Sequence, residues 1–228
     1  IERIEVLRNN VLVAGYFHEG KWGVPSGDER TRWKVRLEVG WGPSPRDFPS
    51  PPPKEWEGEV AVEGGEVVSV EKCWRSRGQW VEPPGGPRCR FGLRTTAGLH
   101  HAPSIQGLIF EVEARPSDRI SFAVNGKRLT MTLSEAARSS HVIYFPEEVE
   151  SRLKEVHGLD PASLPRPDPF YFLSHKARIS RAVPEAGFTA RFEFTDPSPP
   201  EGVNFYRVRI IQRNGQMAWS SPVWVVNG

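Results

Sequence analysis

Apolar and polar residues alternate with a period of two along most of this chain. Val35, Leu37, Val39 and Trp41 alternate with Lys34, Arg36 and Glu38, as in a strand with one face buried and one wet. Leu108, Phe110 and Val112, then Ile120, Phe122 and Val124, repeat the pattern. So do Tyr206, Val208 and Ile210 against Arg207 and Arg209. Trp56 to Val62, Val67 to Trp74, Arg88 to Arg94, Phe170 to Leu173, Ala177 to Ile179 and Phe188 to Phe194 read as further strands. Asn9-Asn10, Gly64-Gly65, Asn125-Gly126 and Asn214-Gly215 punctuate them and predict hairpins, because these residues tolerate positive φ. Pro222 has no N–H to donate, so Val223 to Val226 is expected at an edge or beyond a bulge. The chain is expected to end in a hairpin whose C-terminus belongs to the core.

The period changes to a helical one only between residues 132 and 157. Thr132 with Glu135 three residues later predicts a capping box and a short helix. Pro146 suits a first helical position, Glu147 and Glu148 suit the positive end, and Val149, Leu153 and Val156 share one face before Gly158 ends the helix. Many short strands without strand-helix alternation predict a mainly β chain, an antiparallel β-sandwich of Ig-like or jelly-roll-like type, with this helical insertion. The 228 residues allow one or two sandwiches. An N-terminal region 1–104, with a stiff Pro-rich loop at 43–53, would precede a C-terminal sandwich 105–228; a single domain 1–228 is the alternative.

Composition removes several classes of function. Thirty Lys and Arg stand against 28 Asp and Glu, interspersed rather than blocked, so no nucleic-acid surface is expected. No apolar run suits a membrane span, and no signal peptide opens the chain. Few cysteines and no signal favour the cytoplasm, although the chain opens on Ile1 and reads as a processed product or a fragment. Cys73 and Cys89 lack the spacing of a zinc site and are read as two reduced thiols or one disulfide. No cofactor motif is present: there is no G-x-S-x-G elbow, P-loop, H-E-x-x-H or G-x-G-x-x-G after a strand.

One resemblance adds to this. The stretch YRVRIIQRNGQMAWSSPVWV from Tyr206, RAVPEAGFTARFEFTD from Arg181, WKVRLEVGWGP from Trp33 and the opening IERIEVLRNNVLV are similar to the β-rich C-terminal regions of uncharacterised bacterial proteins related to PHP-type metal-dependent phosphoesterases. The resemblance implies a non-catalytic accessory or scaffolding region. Its partner would be an upstream hydrolase domain or a partner subunit.

The residues themselves offer two further readings. Six of the eight tryptophans lie in the first eighty residues. Trp22 in GKWG and Trp80 in RGQWVEPP sit in loop-like contexts and are candidates to stack on a glycan, as in a carbohydrate-binding module. Trp33, Trp41, Trp56, Trp74, Trp219 and Trp224 are expected to pack inside, because each buried ring removes much apolar surface from water. A hydrolase with a site of another kind is the last alternative. Of the six histidines, adjacent His100 and His101 are the candidate metal ligands, but on a strand they would face opposite ways, and the plainer reading is a pair of solvated loop residues.

Overall fold

A computed structural model of the chain describes every residue except 19–24, 26, 43–52, 75–76, 97–104, 161–162, 164–173 and 213–215. Trp22, His100, His101, the Asn214-Gly215 turn, the Phe170 to Leu173 strand and nearly all of the Pro-rich loop lie outside the described residues. The first half of the chain forms β1 (Arg3–Arg8), β2 (Val11–Phe17), β3 (Thr31–Gly40), β4 (Lys54–Glu63), β5 (Glu66–Cys73), β6 (Trp80–Val81), β7 (Arg88–Thr95) and β8 (Ile105–Ala114). Then come β9 (Arg119–Val124), β10 (Lys127–Thr132), α1 (Leu133–Arg138), β11 (His141–Phe145), α2 (Glu147–His157), β12 (His175–Ile179) and β13 (Val183–Pro184). The chain closes with β14 (Gly202–Ile211), β15 (Met217–Trp219) and β16 (Val223–Asn227). The fold is mainly β, antiparallel and sandwich-like.

Two units divide the chain, one of residues 1–24 and 184–228, the other of residues 25–183. A boundary near residue 104 does not match this division, because it would part β3 from its partner β8, and β4 from its partner β9. These pairings join distant stretches of sequence, which local composition does not show.

The larger unit is a two-layer sandwich. One sheet has the order β10-β9-β4-β7-β6 and the other β11-β12-β3-β8-β5. Phe110 of β8 meets Phe91 of β7 at 5.9 Å and Phe122 of β9 at 6.4 Å, ring centre to ring centre. Trp33, Val35, Leu37 and Val39 from one sheet, and Trp56, Val60, Phe91 and Phe122 from the other, are sealed between the layers. β4 and β5 are not a hairpin: they belong to opposite sheets. Gly64 (φ 82°) turns the chain, and a Cβ on Gly65 would come within 2.4 Å of the Glu113 carbonyl oxygen. The glycine pair thus allows a tight crossing between layers, where a hairpin was expected.

Other local signals are realised. Asn125 and Gly126 both take positive φ and join β9 to β10 in a hairpin. Thr132 Oγ1 accepts from the Glu135 N–H at 3.1 Å while Glu135 accepts from the Thr132 N–H at 2.8 Å, completing the capping box. Gly158 closes α2 in the left-handed conformation. Val149 and Leu153 are buried, but Val156 is exposed; the apolar stripe of α2 stops a turn short of expectation.

The smaller unit is one sheet, β15-β14-β1-β2, with β16 also on β14. β15 and β16 pair in succession with the same edge of β14. Between them Ser220 Oγ accepts from the Val208 N–H at 2.9 Å, bridging the gap before Pro222. Phe188 to Phe194 does not form the expected strand. The segment that follows instead covers one face of the sheet. Asn204 and Asn227 donate to the Pro200 and Pro199 carbonyls at 2.8 and 3.0 Å, and Tyr206 and Arg8 both reach Asp196 at 2.7 Å. By register these four side chains share one face.

Candidate functional site

Register fixes what the outer face of the β10-β9-β4-β7-β6 sheet displays. Trp80 stands opposite Gly92, Gly92 opposite Glu57, Glu59 between Arg90 and Ala123, and Ala123 opposite Arg128. Opposed residues on paired strands share a face. The inward partners Trp56, Val60, Phe91 and Val124 are buried, so the glutamates, arginines and Trp80 face outward. Together with the Asn125-Gly126 turn they line a groove of about 810 Å³ that crosses all five strands.

Trp80 is 46% exposed. Its indole lies over Gly92, where a Cβ would come within 2.1 Å of Nε1. The ring rests on the sheet because Gly92 has no side chain. At the groove's other end the Asn125 side chain accepts from the Glu57 N–H at 2.8 Å and donates to the Glu55 carbonyl at 3.0 Å, tying the turn to β4. Arg90 is held by Glu82 at 2.6 Å. That hydrogen bond lowers the Glu82 pKa below the ordinary carboxylate value. Glu59 reaches Arg88 only at 3.9 Å.

The outer face of the other sheet is different. Arg36 and Arg178 both pair with Glu38, and Lys34 pairs with Glu71 at 2.5 Å. Arg178 and Lys176 lie over the Trp41 ring at 5.3 and 6.0 Å. Charges there are largely matched to one another within the sheet.

A third cluster joins α2 to the sandwich. The buried His175 ring donates from Nδ1 to Glu148, and Lys54 donates to the same Glu148 oxygen at 3.0 Å. These hydrogen bonds, His175's first, pull the Glu148 pKa from 4.5 to about 2. Trp56 meets the His175 ring edge to face at 5.5 Å. A histidine–carboxylate pair could serve acid–base chemistry, but a Cβ on Gly42 would come within 2.0 Å of Nε2. The second ring nitrogen therefore lies against the chain at Gly42, and the cluster acts as a tie between α2, β4 and β12. Sequence inspection explained Glu148 only by the helix N-terminus; nothing in its spacing pointed to His175.

One face of the terminal sheet is the last candidate. Register places Val203, Phe205, Arg207, Arg209 and Ile211 of β14 on it, with Trp224 and Val226 of β16 and Met217 and Trp219 of β15. Trp219 and Trp224 are 53% and 64% exposed and Val226 75%. The C-terminal strand is thus an open edge, not part of a core, and the expectation that these two tryptophans pack inside does not hold. On the same face Leu7 and Glu5 of β1 are buried, so the exposed part of it is the side formed by β14, β15 and β16. Trp33 and Trp56 are buried as expected, and Trp41 and Trp74 are half-buried.

Cys73 and Cys89 lie one in each sheet of the sandwich and form no disulfide, and burial raises both pKa values. The described residues hold no group of three or more His, Cys, Asp or Glu placed to bind a metal ion. Among them no helix is long and apolar enough to cross a membrane. No family model, curated protein or solved structure matches the chain.

Proposed function

We propose that this chain is a non-catalytic accessory β region of a larger metal-dependent hydrolase, and that it docks on the hydrolase through the open face of its terminal sheet. The observation that carries this reading is the exposed run of Val203, Met217, Trp219, Trp224 and Val226 on one face, with half-buried Phe205 among them. Contiguous exposed apolar surface on a folded protein marks an interaction site. Aromatic residues and arginine are the types enriched at such interfaces. Arg209 lies over the Trp219 ring at 4.9 Å, Arg207 over Phe205 at 5.5 Å, and Phe205 meets Trp224 at 5.2 Å. These contacts hold the rings in place before any partner arrives. The hydrolase identity of that partner comes from the sequence resemblance.

The test joins genetics to biochemistry. The reading frame around this chain is expected to encode a domain with a His-x-His motif and scattered His and Asp ligands. Replacing Trp219 and Trp224 by Ser in the full protein should then lower the thermal midpoint of that domain or its turnover of a phosphodiester. A frame without such a domain, or a hydrolase indifferent to both substitutions, overturns the reading.

A further inference from the structure

We infer that the outer face of the β10-β9-β4-β7-β6 sheet binds a neutral oligosaccharide, with Trp80 as the surface on which a pyranose ring stacks. The site is separate from the apolar face of the terminal sheet and does not depend on the accessory role.

The first support is the setting of Trp80. A large ring at 46% exposure leaves apolar area in water that a partner could cover. This ring is also fixed, because it rests on Gly92 and its strand pairs with β7. A fixed aromatic loses little conformational freedom on binding. The C–H face of a pyranose is the sugar surface that matches a flat exposed ring.

The floor of the groove is the second support. Gly92 lies under the Trp80 ring and Ala123 adds only a methyl group, so Glu57 and Glu59 of β4, between them, are the polar side chains that a ligand lying across the sheet would meet. Five strands at about 4.8 Å spacing give a track of roughly 19 Å across the sheet, the length of several sugar rings. Its volume of about 810 Å³ lies within the range of ligand sites.

The third support is the chemistry of the walls. Glu55, Glu57 and Glu59 of the middle strand β4 lie between Arg90 of β7 and Arg128 of β10. The Glu57 and Arg128 side chains have no hydrogen-bond or ion-pair partner among the described residues. Carboxylates accept from sugar hydroxyls and guanidinium groups donate to them. With both signs interleaved, a polyanion would meet three carboxylates and a polycation two guanidiniums. An uncharged ligand carrying many hydroxyls suits both.

Affinity electrophoresis of the whole chain through gels containing β-glucan, xylan, galactomannan or hydroxyethylcellulose tests the proposal, with polygalacturonate and dextran sulfate as charged comparisons. The wild-type chain should be retarded by at least one neutral polymer. Trp80→Ala should weaken that binding about tenfold or more, as expected when a stacking ring and its buried area are lost. Glu57→Ala, an exposed change, should weaken it about fivefold or more through a lost charged hydrogen bond. Tyr144→Ala, an exposed change on the other sheet of the sandwich, should bind like the wild type. Cooperative thermal unfolding identifies the folded variants. No retardation by any neutral polymer, retardation by charged polymers alone, or unchanged affinity in either folded groove variant overturns the proposal.

Discussion

The two units of this molecule use tryptophan in opposite ways. In the sandwich, Trp33 and Trp56 are sealed between two sheets, and their ring nitrogens donate to Ala114 O at 3.1 Å and Thr95 Oγ1 at 2.9 Å. In the terminal sheet, Trp219 and Trp224 are each more than half exposed. β14, with which the strands of Trp219 and Trp224 both pair, alternates as β3 and β4 do. A period of two therefore says which residues share a face and not whether that face is covered.

The largest expected effect tests the buried side of that contrast. Trp56→Ala removes a sealed ring, its hydrogen bond to Thr95 and its edge contacts with Phe145 and His175. It should destabilise the sandwich by about 3–5 kcal/mol, measured by denaturant unfolding. A loss below about 1 kcal/mol would mean that the two sheets do not depend on this ring for their packing.

A pH titration probes the tie beside it. The Glu148 pKa is about 2 in the folded chain against 4.5 ordinarily. A depressed carboxylate stabilises the fold above its unfolded value, and the contribution fades as pH falls from about 4.5 towards 2. The Glu148 side chain is 37% exposed, so solvent screening cuts the expected loss to roughly 1–2 kcal/mol. Thermal melts should show that loss in the wild type and a flatter acid profile in Glu148→Gln. Equal slopes would remove this carboxylate as the origin. A smaller effect is expected at α1, where Thr132→Ala opens the capping box and should lower the midpoint by an amount corresponding to about 1 kcal/mol.

Local signals in the sequence were legible where one residue type answers one geometric need. Asn125-Gly126, the Thr132 capping box and Gly158 are of that kind, as are the alternating cores of β3, β8 and β9. Legibility failed where the answer lies far along the chain. Gly64-Gly65 suits a hairpin as well as a crossing between sheets, and only the pairing of β5 with β8 decides. Phe188 to Phe194 alternates like a strand, yet the chain beyond it lies over a sheet face, where Asn204 and Asn227 take its carbonyls in place of a ladder. At the groove, Trp80 stood out by its loop-like context, while the glutamates of β4 drew no functional reading. Their meeting with Arg90, Arg128 and the bare Gly92 depends on the order β10-β9-β4-β7-β6, which no spacing reveals.

The smallest expected effect on stability is the one that separates the two uses of tryptophan most sharply. Trp224 is 64% exposed on edge strand β16 and meets chiefly Phe205 across the strand pair. Trp224→Ala in the isolated chain should change unfolding free energy by no more than about 0.5–1 kcal/mol, the scale of a cross-strand pair. If the proposed docking holds, the same substitution should weaken attachment to a hydrolase domain by more than it weakens the fold, because an aromatic buried at an interface loses its whole desolvated contact. Comparing isothermal titration of the separate domains with the melt of the isolated chain checks both halves. If the melt falls as far as it does for Trp56→Ala, the terminal sheet has a core after all, and its open face is a folding surface rather than a docking surface.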